Sequence, residues 1–311
     1  MGFSILRFAT VEATWMPPRG ALRPLSVFWR LHRLGALGGA LVALFFLTGL
    51  MAPVLMPHDP NQVNVQAALQ PPSRTYPLGT DNLGRDLASR IIFGARVSLY
   101  ISVTAVALGL AVGTAMGMAA AYYRQLDAPV MRFVDMMLAF PGIIVALAII
   151  SILGRGVENL IVAIGIVQIP QFARLAHGLT LAAKDRTYVE AAVATGAADR
   201  RVLVRHILPN CLAPLIVQVS LLIPAAITTA ASLSFLGLGV PPPTAEWGAM
   251  LQNSLQWARM APHVMVIPGL ALMLVVFGFN VLGDGLRDAM DPRLRSLSAS
   301  REPRPSGAPG G

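Results

Sequence analysis

Asp, Glu, Lys and Arg are missing from six stretches of this chain: residues 34–57, 97–123, 136–154, 159–173, 206–245 and 260–283. A charge at the centre of a bilayer costs about 2.5–3.5 kcal/mol on insertion scales, and a helix needs about 20 apolar residues to cross. The six stretches therefore predict membrane-spanning helices. The fourth has only 15 residues, which makes about 22 Å of helix. It crosses by borrowing Val157, Leu175 and Ala176, with Arg174 snorkelling at its end. The fifth, at 40 residues, is too long for one crossing. It predicts a helix over about 212–231, then an irregular segment where Gly and Pro interrupt SFLGLGVPPP at 234–243.

The positions of Arg and Lys orient these spans, because cytoplasmic loops keep an excess of them. With six crossings both ends lie on one side, and that side collects 18 of the 24 basic residues. The other side takes Arg74, Arg85, Arg90, Arg96, Arg155 and Arg259. Both termini are therefore expected in the cytoplasm. The organisation that follows is a cytoplasmic tail at 1–33 with Trp29 as an interfacial anchor, a first span at 34–57 and an extracytoplasmic loop at 58–96. A helical core at 97–290 and a polar, Pro- and Gly-rich tail at 291–311 complete it. The run at 34–57 is span-length and reads as a retained anchor in preference to a cleaved signal peptide.

Composition agrees. The chain is 55% hydrophobic and 13% charged, with mean hydropathy +0.63, and a soluble chain carries about a quarter of its residues charged. A pair of soluble domains is excluded, as is disorder outside the ends. The single cysteine, Cys211, has no partner for a disulfide or a CxxC site, and the five histidines stand apart without ligand spacing. No metal site is expected.

Between the fourth and fifth spans lie about 35 residues, roughly 175–210, too long for an ordinary turn between helices. Asp185 is placed to cap a helix through Tyr188, Val189, Ala192 and Val193, with Gly196 as its left-handed terminator. Asp199 is placed to cap a second helix with Val202, Leu203 and Ile207 on one side and Pro209 as its stop. Two short helices about a glycine, flanked by Arg200, Arg201 and Arg205, suit a groove on a partner protein. A plain surface hairpin is the bland alternative, and a DNA-binding helix-turn-helix is disfavoured by its place between membrane spans.

Glu190-Ala191-Ala192, Gly196 and the closing Leu208-Pro209 resemble the EAA loop of inner-membrane permease subunits of ABC importers. YPLGTDNLGRD (76–86), GARVSL (94–99), LAFPG (138–142), ASLSFLGLGVPPP (231–243) and NVLGDGLRDAMDPR (280–293) resemble the branch that moves dipeptides, oligopeptides and nickel. The resemblance runs from about residue 30 to residue 293. Two positions depart from the pattern: Tyr76 replaces a common histidine, and His206 replaces the aliphatic residue of the general EAA motif. The resemblance implies an all-α type I importer fold with about six spans, whose EAA loop is a coupling helix seated in a cytoplasmic ATPase. It also implies a second homologous permease, two ATPases that bind ATP and Mg, and an extracytoplasmic substrate-binding protein. This chain is expected to carry no cofactor and no catalytic residue. Ala191 and Ala192 are small enough for a groove, Gly196 permits the bend and Glu190 offers a charge.

The chain itself has no GK pair and one lysine, Lys184, so it lacks a phosphate-binding loop. Gly283-Asp284-Gly285 fails as an intramembrane protease motif: no second mid-span aspartate exists, and Val281 stands two before Gly283. A self-sufficient secondary transporter would need mid-membrane carboxylates that the spans do not supply. Within the resemblance, peptides are the expected substrates and nickel the alternative. Gln168, Gln218, Ser220, Thr228, Thr229 and Asn280 are candidate polar groups of a substrate path, each equally readable as a helix-packing group. Asp135 is expected to pair with Arg132 at i,i+3. Gly109, Gly113 and Gly117 at GxxxG spacing predict close helix approach.

Overall fold

A computed structural model of the chain describes residues 33–290; the predicted tails and the Trp29 anchor lie outside the described residues. The described part is built from helices, with one isolated bridge between Thr80 and Asp86. We label the main helices α1 (Arg33–Leu50), α2 (Leu87–Tyr122), α3 (Arg124–Ala139), α4 (Gly142–Leu153), α5 (Val157–Lys184), α6 (Thr187–Ala194), α7 (Leu208–Phe235), α8 (Trp247–Ser254) and α9 (His263–Met290). Among the described residues, four helical runs are long and apolar enough to cross a bilayer: α2, α5, Asp199–Phe235 and His263–Ala289. The pair α3 and α4 adds a fifth if its two halves count as one span, and Leu34–Leu50 is a shorter apolar helix.

The charge-free stretch at 136–154 is not one straight helix. It breaks at Phe140 and Pro141, where α3 and α4 meet at 94°. Pro141 disfavours helical geometry at Phe140, which adopts an extended conformation at φ −99° and ψ 141°. The stretch at 34–57 likewise divides, α1 giving way after Leu50 to a short helix at Ala52–Leu55. Helix α5 runs 28 residues, far past the 15 of its charge-free gap.

The centre of the bundle is the packing of α2 on α5. It is close because Gly109, Gly113 and Gly117 present bare backbone to Gln168, Ile169, Phe172 and Ala173. A Cβ on Gly113 would stand 2.5 Å from the Ile169 carbonyl oxygen. On the other side of the bundle α1 lies on α9, with Gly38 against the backbone of Gly278 and Leu282. Without a hydrophobic drive between helices in lipid, contacts of this kind hold a bundle together.

Helix α2 starts at Leu87, ten residues before its charge-free stretch, and buries Arg90 near its start. Arg90 is 2% exposed; its Nη1 donates to the carbonyls of Pro60 (2.8 Å) and Pro243 (3.4 Å), and its Nε lies 3.5 Å from Asp81 Oδ2. Asp81 also receives Arg85 Nε at 2.6 Å and the backbone N–H groups of Leu83 and Arg85. Asp86 caps α2 by accepting from Ser89 N. The loop at 58–86 is thereby bound to the head of α2.

Helix α8 folds back between α2 and α7. Gly248 lies on the Ala231 backbone, and Trp247 packs on Gly94 and donates to the Ile91 carbonyl at 3.2 Å. Its N-cap is Glu246, 1% exposed, whose carboxylate accepts from Gly248 N and Ala249 N at 2.9 Å each. Burial pushes this carboxyl above the usual range; the two N–H groups, helped by the facing Ser234 and Ser98 hydroxyls, oppose the shift.

Candidate functional site

The segment between α5 and α7 is gathered at one end of the bundle by Tyr122, the last residue of α2. Its carbonyl accepts from Lys184 Nζ at 3.1 Å, its ring lies 5.6 Å beneath that ammonium, and its hydroxyl donates to Asp199 Oδ1 at 3.0 Å. The start and the middle of the segment are thus fixed to the same residue. Asp199 does not cap the second helix as expected: Ala198 is the N-cap, and the carboxylate turns to Tyr122. Asp185 does not cap the first. It closes α5, and the extended Arg186 stands at the N-cap position of α6 with no side-chain cap.

Helix α6 holds on by Val189 and Ala192, which are buried three residues apart in the cluster that also contains Val202 and Ile207. The spacing of three keeps both on one face. Glu190, Ala191 and Val193 are left exposed, as are Thr195 and Gly196. Ala192 is therefore an inward anchor, and Ala191 alone of the two alanines belongs to the outer face. The helix ends as its glycine predicts: Gly196 has φ +81°, its N–H bonds Val193 O, and Ala197 N–H bonds Ala192 O. This paired closure satisfies the last carbonyls and needs a left-handed residue.

Asp199–Arg201 then continues through six residues of i→i+5 helix, Val202–Ile207, directly into α7. Pro209 does not stop it. The proline sits in the first turn of α7, where a missing N–H is tolerated. Leu208 N bonds Leu203 O across the wide turn, and Leu208 packs against the core while Pro209 is exposed. Asn210 Nδ2 donates to His206 O (2.7 Å) and to the Tyr188 hydroxyl of α6 (3.2 Å). Burial pushes the Tyr188 hydroxyl up from its ordinary value. Tyr122 and Asn210 were not singled out from sequence, and Tyr188 only as a position on the first helix, since each acts across a distance that no local spacing reveals.

The candidate path residues separate. Gln218 lines an open groove of about 570 Å³ with Gln171, Arg174 and the leucines 138, 175 and 179. Gln168 is buried against Gly109, in the α2–α5 contact. Ser220, Thr228 and Thr229 donate to carbonyls of their own helix, at Val217, Pro224 and Ala225. Asn280 is exposed on α9. The groove's arginine is not a free snorkelling cation: Arg174 Nη2 meets Asp135 Oδ1 of α3. Asp135 thus pairs across helices, and not with Arg132 three residues earlier. A second bridge joins the same helices, His177 Nε2 to Asp127 Oδ1 at 2.8 Å.

Residues 109–296, which hold the α2–α5 contact, the groove and the whole α6 segment, match the family described as binding-protein-dependent transport system inner membrane component. The chain belongs to this family. Residues 27–72 match the N-terminal TM domain of oligopeptide transport permease C. The permease is 45% identical to a glutathione transport system permease protein of Pectobacterium atrosepticum, over 88% of this chain and 92% of that one. It is 44% identical to a di/tripeptide transport system permease protein of Pseudomonas aeruginosa, over 88% and 94%. Among solved structures, an inward-facing form of the MetNI methionine ABC transporter matches with TM-score 0.52 at 18% identity, covering 65% of this permease and 97% of that chain. That likeness gives the type I importer fold. The permease is a multi-pass protein of the inner membrane.

Proposed function

We propose that this permease forms one half of the membrane pathway of an ATP-driven importer of short peptides. The observation that carries the proposal is the α6 segment. It presents an outward-facing helix with Glu190, Ala191 and Val193 on its free side, and the segment is held to α2 through Asp199 and to α7 through Tyr188. Nothing in a stand-alone channel requires such a segment, whereas a helix driven by a separate motor does. Two ATPase chains, binding ATP and Mg, are the proposed occupants of that face. A second permease subunit completes the pathway, and a substrate-binding protein docks at the opposite end, on the loop at 58–86. Both termini lie in the cytoplasm, an orientation supported by the excess of Arg and Lys on that side.

The names of the relatives, glutathione and di/tripeptide permeases, support a substrate of two or three residues. The groove at Gln171, Arg174 and Gln218 has a fitting volume and polar groups for a peptide backbone, and is the proposed place of contact. The test is purification of the tagged permease from its membrane in mild detergent, with mass spectrometry of what stays bound. A P-loop ATPase and a second permease are expected, with the ATPase lost from the preparation when Glu190 and Gly196 are replaced. Recovery of the permease alone, still moving dipeptide into liposomes without ATP, would sink the proposal.

A further inference from the structure

The turn between the α6 segment and α7 is of a rare kind. Six residues, Val202–Ile207, follow i→i+5 hydrogen bonding, which sequences keep in short pieces and mostly where a function needs them. Its buried anchors explain how it is held. Val202 and Ile207 are both 0% exposed, yet positions five apart on an α-helix stand about 140° apart around the axis. The wider turn brings them toward one side, and the turn packs against α6.

Asn210 sits one turn beyond. Its amide nitrogen has two hydrogens, and the structure uses both: one on the carbonyl of His206 inside the wide turn, one on the hydroxyl of Tyr188 in α6. A carbonyl only accepts, so the NH2 end of the side chain is fixed toward His206, and the same end reaches Tyr188. One side chain of α7 therefore grips both the wide turn and the helix on the far side of the segment. Elsewhere α6 is attached to the bundle by apolar contacts, which resist separation and allow sliding. The hydrogen-bonded tether sets direction.

We infer that Asn210 is a positioning residue that converts displacement of α6 into rotation of α7, with the Val202–Ile207 turn as the pivot. The inference rests on the reading of α6 as the face for an ATPase. When α6 is pushed, the Tyr188 hydroxyl pulls the Asn210 amide, and the amide pulls the His206 carbonyl.

The test uses the whole complex, permeases with ATPases and binding protein, in proteoliposomes. The quantity measured is dipeptide accumulated per ATP hydrolysed, a ratio that a loss of folded protein leaves unmoved. Tyr188→Phe removes one hydroxyl and keeps the ring; Asn210→Leu removes both donors at similar size and leaves no acceptor for the Tyr188 hydroxyl. Each is expected to lower the ratio about fivefold, the equilibrium effect of one ordinary hydrogen bond. The double variant is expected to be no worse than Asn210→Leu alone, because both changes cut one connection. An unchanged ratio in Tyr188→Phe overturns the inference, as does a double variant whose loss is the product of the two. If Asn210→Leu does not fold, Tyr188→Phe decides alone. If the wild-type permease retains no ATPase, the docking reading fails first and takes this inference with it, a result distinct from an intact complex with an unmoved ratio.

Discussion

The carbonyl oxygen of Ala173 lies 2.1 Å from where a Cβ on Gly117 would stand. No side chain fits there, and the atom in the way is backbone, which cannot rotate aside. Gly117→Val is therefore expected to force α2 away from α5 and cost about 1–3 kcal/mol or more. Lower yield and a lower thermal midpoint of the purified permease in detergent would register it. Gly178 is the control. It is helical with nothing within 4 Å of a Cβ, so Gly178→Ala should be neutral or stabilising by about 0.5–1 kcal/mol.

Gly196 presents the opposite case. A Cβ there meets nothing within 4 Å, and the difficulty is its φ of +81° alone. Asn tolerates the left-handed region and Val does not, so Gly196→Asn should retain most peptide uptake and Gly196→Val should lose most of it. Equal loss in the two variants, at equal membrane levels, would show that something other than backbone conformation makes the position sensitive.

Glu246 makes stability pH-dependent. Its folded-state carboxyl is raised by burial, while the unfolded group titrates at about 4.3. Between those values the folded chain holds the proton and the unfolded chain does not, so stability falls as pH rises from about 4.3 through the folded value. The thermal midpoint of the wild-type permease should drop as pH rises from about 4.3 through that folded value. Glu246→Gln keeps one acceptor for the N–H groups of α8 and should flatten that dependence. A wild-type midpoint that rises over the same interval would contradict the burial argument.

Arg90 and Arg174 are both paired with carboxylates, and their burial decides what each pair contributes. Arg90→Gln breaks a buried cluster, removing donors from Pro60 and Pro243 and a charge from beside Asp81. A loss of about 3–5 kcal/mol is expected, seen as a large fall in thermal midpoint. Asp135→Asn breaks a pair whose two side chains are each 57% exposed. Its cost should be at most about 1 kcal/mol, and smaller still at high salt.

Much of this permease was legible along the chain. Absent charges marked the apolar stretches behind α1, α2, α5, α7 and α9, because the cost of burying a charge in lipid is local to each residue. The glycine spacing in α2 announced its close contact, and Gly196 announced the end of α6, since backbone conformation is also a local property. The EAA-like residues marked the segment that projects from the bundle.

Other features appeared only when distant residues met. Sequence spacing assigned Asp135 to Arg132, Asp185 and Asp199 to helix caps, and Pro209 to a helix stop; the fold gave each a different place. Arg174 reached Asp135 first, Tyr122 claimed Asp199, and a wide turn carried the helix through Pro209. Nearest neighbours in sequence lose such contests because a partner across the bundle is held in place by packing, and a partner three residues away is not. The same holds for Tyr188 and Asn210, 22 residues apart in the chain and 3.2 Å apart in space. Hydropathy fixes what must be buried; only tertiary packing decides which polar groups find each other, since that choice depends on distances that no single helix contains.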